Sequence, residues 1–195
     1  MWRLWLAHAL SRCGTKAWDF AVPLALLAAA PGWGLRAPAC YLLARYSAQS
    51  ALGPSVGTAC DRAPRLRAAA WGAGAQGFAV AGTALAAAAF ALSGAGSSGD
   101  DGVSGAGWFV ALACAFGVAE VLGATAVGVL VSKDWVPTLC ERTRAPPELL
   151  ARANGWMSRI DLGAETFAPL VTGAALAAAP QTGGGAAAVV AAAGA

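Results

Sequence analysis

The sequence predicts an all-α membrane protein with five long apolar helices and the beginning of a sixth. Three observations carry that expectation. First, 58% of the 195 residues are hydrophobic and only 12% are charged, against roughly 25% charged in a soluble domain. Second, 53 alanines and 25 glycines make the apolar fraction small-sided, a composition that suits helices packed backbone to backbone. Third, charge-free runs cover residues 20–35, 68–99, 102–119, 121–132 and 166–195, and a bilayer core needs about 20 mostly apolar residues in a helix.

The same arithmetic excludes other classes. So few charges argue against a soluble enzyme. A net charge of +3 from 13 basic and 10 acidic residues is too slight for a nucleic-acid surface, and disordered chains are polar and charged. Five cysteines, an odd number without C-x-x-C spacing, read as buried thiols rather than disulfides or a zinc site.

The helices are expected over residues 5–30, 36–56, 66–94, 106–132 and 147–178, with a sixth beginning near Gly184 and running off the end at Ala195. Breakers divide them: Pro31-Gly32-Trp33-Gly34, the run Ser93 to Gly107, and Ala145-Pro146-Pro147. Met1 to Trp5 has no basic segment followed by a short apolar core, so no cleaved signal is expected. Basic residues set the orientation. Arg62, Arg65 and Arg67 follow helix two, and Lys133, Arg142, Arg144 and Arg152 follow helix four, whereas the opposite connections hold Arg36, Asp100 and Asp101. Seven basic residues against one put the N-terminus on the cytoplasmic-type side.

Ionisable residues inside spanning helices are costly and mark pathways, pairs or cavities. On helix one, Thr15 and Asp19 lie one turn apart and share a face. Asp19 is the expected cavity-facing carboxylate; the blander alternative pairs it with Arg12, Lys16 or Arg159 as a simple helix lock. Helix five carries Asn154, Arg159, Asp161 and Glu165, and the two acids, again a turn apart, can hold a divalent cation or share a proton. The favoured alternative there is that Arg159 neutralises Asp161 while Glu165 lies in a wet groove. Gln76 offers an amide oxygen at membrane depth or an interhelical hydrogen bond. Glu120 reads as a gate or a packing residue. His8, the only histidine, reads as structural.

Between helices two and three, Gly57-Thr58-Ala59-Cys60-Asp61-Arg62-Ala63-Pro64-Arg65 resembles the G-x-x-x-D-R-x-x-R loop of major facilitator transporters. That resemblance assigns Asp61, Arg62 and Arg65 to a conformational latch, with the glycine permitting close helix approach. A charged turn is the alternative.

The segment from His8-Ala9-Leu10-Ser11-Arg12 through Gly14-Thr15-Lys16-Ala17-Trp18-Asp19-Phe20-Ala21-Val22 resembles the first helix of ferroportins, H-x-L-S-x-x-G-x-[RK]-x-W-x-F-A-V. Ser132-Lys133-Asp134-Trp135-Val136 resembles the family's R-D-W segment. Asn154 to Asp161, then Ala168-Pro169, resembles its N-x-x-x-x-R-I-D and A-P pattern. The likeness is nearest to plant or algal plastid-type members. It implies the N-terminal lobe of a twelve-helix major facilitator fold, with the sixth helix truncated, that exports ferrous iron or related divalent metals by alternating access and has no cofactor. The implied partners are the lipid bilayer, the metal ion, and the C-terminal lobe or a second copy, with no nucleic acid. The implied membrane is the plasma membrane or plastid envelope.

Ferroportins place an Asp and a His one turn apart on helix one as metal ligands, and these positions fall on Thr15 and Asp19. A hydroxyl and a carboxylate thus replace the carboxylate and imidazole, and oxygen donors favour harder cations. Gln76 matches a glutamine of the family's calcium site, whose helix-six ligands have no counterpart before Ala195, so calcium binding is not expected. Two other readings stand beside this one: a half-size, homodimerising carrier of organic or antibiotic substrates, and a non-transporting truncated membrane protein. No enzyme is expected, since no catalytic constellation is visible and Gly183-Gly184-Gly185 is linker rather than phosphate loop.

Overall fold

A computed structural model of the chain describes residues 2–93, 102–131, 138 and 147–178, nearly all of them helical. The helices are α1 (Trp2–Ala29), α2 (Arg36–Arg62), α3 (Arg65–Leu92), α4 (Gly102–Val129) and α5 (Pro147–Ala178). At about 1.5 Å per residue each is about 40 Å long or more, beyond the ~30 Å of a bilayer's hydrocarbon. The expected sixth helix, Asp100 and Asp101, and the segment holding Lys133, Asp134, Arg142 and Arg144 lie outside the described residues.

The connections explain where the helix ends fall. Between α1 and α2, a short 3-10 turn over Pro31–Trp33 is followed by Gly34 at φ 52, a left-handed conformation that glycine adopts without a Cβ clash. α2 continues through Asp61 and Arg62 instead of ending near residue 56. It stops because Pro64 disfavours helical backbone in the residue before it, and Ala63 is extended at φ −91, ψ 152. The segment resembling a major facilitator loop is therefore mostly the last turns of a helix. Gly57, expected to permit close helix approach, instead faces open space.

Across the bundle the helices are ordered α3, α4, α2, α1, α5. Small residues permit the tightest of these contacts. A Cβ on Gly123 of α4 would lie 2.7 Å from the carbonyl oxygen of Gly72 and 2.9 Å from the backbone nitrogen of Gln76, so α3 and α4 meet backbone to backbone. On the next helix face, Gly117 leaves room for the Tyr41 ring and for Arg45 Cδ, which would be 3.2 Å from a Cβ there.

One end of the bundle is sealed by Trp18, Val22, Leu26, Tyr41, Phe90 and Phe109. At the other end the core thins to Cys60, Ala68, Ala126 and Leu130, with a separate patch around Ala153 and Met157. The outer surface is apolar: Trp71, Phe78, Leu85 and Leu92 stand exposed at seven-residue intervals along α3. Side chains of this kind fit lipid rather than water, and Arg65–Leu92 and Ala106–Val129 are long and apolar enough to cross a membrane. The thiols are less uniformly buried than expected, since Cys60 is buried while Cys13 and Cys40 are exposed. Pro23, Pro54 and Pro169 lie inside α1, α2 and α5 respectively.

Candidate functional site

Halfway along the bundle, four helices contribute one linked polar cluster. Arg45 of α2 is 4% exposed and bridges two carboxylates. Its Nη1 donates to Asp19 Oδ1 of α1 at 2.6 Å, and its Nη2 donates to Glu120 Oε2 of α4 at 2.5 Å. The Gln76 amide of α3 donates to the other Glu120 oxygen at 3.1 Å and to Thr15 Oγ1 at 3.2 Å. Thr15 in turn donates to the Ser11 carbonyl. Charge-assisted hydrogen bonds of this length are the strong kind, and burial makes each partner depend on the others.

Local sequence explains how four helices reach one point. The Gly72–Gly123 contact brings α3 close enough to α4 for Gln76 to meet Glu120. Gly117, one turn before Glu120, lets Tyr41 and the Arg45 stem lie flat on α4. The guanidinium then sits over the Tyr41 ring, 5.4 Å from its centre, within cation–π range.

The cluster opens onto a cavity. This cavity, of about 620 Å3, is lined by Thr15, Asp19 and Arg45 at its inner end and by His8, Arg12 and Asp161 further along. The Asp19 side chain is 28% exposed while that of Glu120 is 1% exposed. Asp19 therefore meets the cavity, and Glu120 lies behind the guanidinium.

A second ionic system ties α1 to α5. His8 Nε2 and Arg12 Nε lie 3.0 and 2.8 Å from Asp161 Oδ1, and Lys16 Nζ lies 2.9 Å from Glu165 Oε1. Positions 8, 12 and 16 on α1 face 161 and 165 on α5, each series spaced one helical turn. These contacts are wetter, with Asp161 38% and Glu165 49% exposed.

Several sequence expectations change. Asp19 pairs with Arg45, not with Arg12, Lys16 or Arg159. Asp161 is neutralised from α1, whereas Arg159 lies over the Trp156 ring at 5.3 Å. Asp161 and Glu165 are each engaged by a basic side chain rather than facing a common ligand. Glu120, isolated in sequence, has two partners, and His8 meets the Asp161 carboxylate. Asp61, Arg62 and Asn154 are exposed, and Arg65 Nη1 donates to Thr138 Oγ1 at 2.9 Å. Thr15, Asp19 and Gln76 fall within one cluster, but no group of three His, Cys, Asp or Glu side chains among the described residues is arranged to hold a metal. Sequence reading missed Arg45 altogether. The available signal was a lone arginine nine residues into an apolar helix, since an intramembrane charge marks function by default.

Comparison with known proteins gives this geometry a context. The family model described as Ferroportin1 (FPN1) matches residues 1–194. The chain is 37% identical over 180 residues to "Ferreportin" of Bdellovibrio bacteriovorus, covering 92% of this chain and 39% of that protein. It is 31% identical over 176 residues to "Solute carrier family 40 member 1" of Oryza sativa subsp. japonica, covering 88% and 34%. It is also similar to the crystal structure of a bacterial homologue of iron transporter ferroportin, outward-facing with soaked iron, at TM-score 0.77 and 32% identity over 96% of this chain and 44% of that one. The chain thus spans well under half the length of these relatives, and its helices have the fold of the N-terminal lobe of a major facilitator-like transporter. On the family match over almost its whole length, this membrane protein belongs to the Ferroportin1 family, a family of transporters and not of enzymes.

Proposed function

We propose that the chain is one lobe of a carrier that exports iron or a related divalent metal ion by alternating access, working with a second lobe or a second copy. The observation that carries this reading is a carboxylate, Asp19, presented at the inner end of a cavity of about 620 Å3 whose outer part is lined by Asp161. An ionisable side chain facing a cavity within a membrane bundle marks an ion pathway or a partner by default. Thr15 Oγ1 and the Gln76 amide oxygen are the neighbouring neutral donors, and an all-oxygen set suits a hard or borderline divalent ion. Asp61, Arg62 and Arg65 serve as a latch on the cytoplasmic-type side, and Asn154, Arg159, Asp161 and Glu165 serve in gating or coupling as the lobes rock about the central site, the last two through their contacts with α1. The basic connections put the N-terminus on that side, in a plasma membrane or plastid envelope.

Reconstitution of the complete gene product in liposomes, with uptake of ferrous, cobalt and nickel ions, tests the reading. The wild type is expected to carry at least one of these ions and Asp19→Ala to lose that flux. Absence of flux in the wild type overturns the proposal.

A further inference from the structure

We infer that Arg45 is an in-built counter-cation that competes with the transported ion for Asp19 and Glu120, so that loading the cavity requires the guanidinium to let go. Of the two carboxylates that Arg45 occupies, Asp19 lines the inner end of the cavity, beyond Asp161 further along it. Asp19 is reached before Glu120 because it is the more exposed of the two, and Glu120 lies directly behind the guanidinium. The three groups together carry one net negative charge. A divalent ion added with Arg45 in place would leave them net positive in an apolar bundle, an unfavourable state where the effective permittivity is low. With the guanidinium withdrawn, the ion and the two carboxylates are neutral.

The arginine is also held in a way that permits release. Its two Nη groups go to different helices and not as a fork onto one carboxylate, so it lacks the bidentate geometry that makes such pairs strongest. Its Nε is buried with no hydrogen-bond partner among the described residues, so one of its donors is unspent. Arg45 belongs to α2 while its partners belong to α1 and α4. Release therefore loosens the joint between α2 and both neighbours, linking ion binding to a helix contact.

This inference deepens the metal-carrier reading and takes the role of Asp19 from it, but its test needs no transport. Cobalt(II) binding to the purified protein in detergent is measured by calorimetry for the wild type, Arg45→Gln and the triple variant that also carries Asp19→Asn and Glu120→Gln. Arg45→Gln is expected to bind cobalt at least about tenfold more tightly than wild type, because a unit charge a few ångströms from the ion is removed. The triple variant is expected to lose that gain. Thermal unfolding supplies a second readout: cobalt raises the midpoint of Arg45→Gln more than that of wild type. Arg45→Lys keeps a cation but reaches the two acids less well, and gives the same sign at a smaller size; it serves if the glutamine variant does not fold. Equal or weaker cobalt binding in the Arg45 variants overturns the inference, whether or not the wild type binds. If Arg45→Gln gains cobalt binding while liposomes show no wild-type flux, competition stands and the transport reading falls.

Discussion

The two ionic systems of this bundle share residue types and differ in almost everything else. The Asp19–Arg45–Glu120 cluster links three helices at the depth where the apolar core begins, and its arginine and inner glutamate are sealed from solvent. The His8, Arg12 and Lys16 contacts with Asp161 and Glu165 join only two helices and are a quarter to a half exposed on most of their members. In the first system each charge relies on its neighbours because water cannot replace them. In the second, water and salt can stand in for either partner. Burial, not the number of ion pairs, decides which system depends on its own members and which can exchange a partner for water.

The comparison can be broken most forcefully at its buried end. Arg45→Leu strands two acids and is expected to lower the stability of the detergent-solubilised protein by about 3–5 kcal/mol, seen as a fall in the unfolding midpoint. Adding Asp19→Asn and Glu120→Gln should recover part of the loss, and full stability in Arg45→Leu alone would show the cluster is not sealed. A smaller effect follows from Gly117→Val, whose side chain must displace the Tyr41 ring and the Arg45 stem. Overpacking of this kind costs about 1–3 kcal/mol, and the same variant should disturb cobalt binding although it removes no charge. At the exposed end, Asp161→Asn is expected to change stability by less than about 1 kcal/mol. Its effect should shrink further in high salt, and a salt-independent loss would mean that the α1–α5 contacts are as dry as the central cluster.

Much of the architecture was legible because charge-free runs and proline-glycine breakers are one-dimensional signals. α3 and α4 stand in the charge-free segments that revealed them. The end of α2 was misjudged because Gly57 to Arg65 resembled a loop motif, while the stop comes from Pro64 acting on Ala63. At the site, periodicity put Thr15 beside Asp19 and Asp161 beside Glu165, since residues four apart share a helix face. Partners were not legible in the same way. Asp19 meets Arg45 because α1 packs on α2, and Glu120 meets Gln76 because two glycines let α3 and α4 touch. No spacing along the chain encodes either contact. The matched ladders 8, 12, 16 and 161, 165, with opposite charge, were readable as a pair and were read separately.

The prolines inside α1 and α5 bear on how such a bundle moves. Pro23 stands four residues after Asp19, and Pro169 stands four residues after Glu165. Proline has no amide hydrogen, so neither acid's main-chain carbonyl receives the helical bond that position would supply. Each helix is missing one rung of its backbone ladder directly beyond a charged contact, and a missing rung is where a helix bends most easily. The neighbouring helices α1 and α5 therefore each lack one backbone hydrogen bond one turn beyond an ion-paired acid, the same local softening on two helices that pack together.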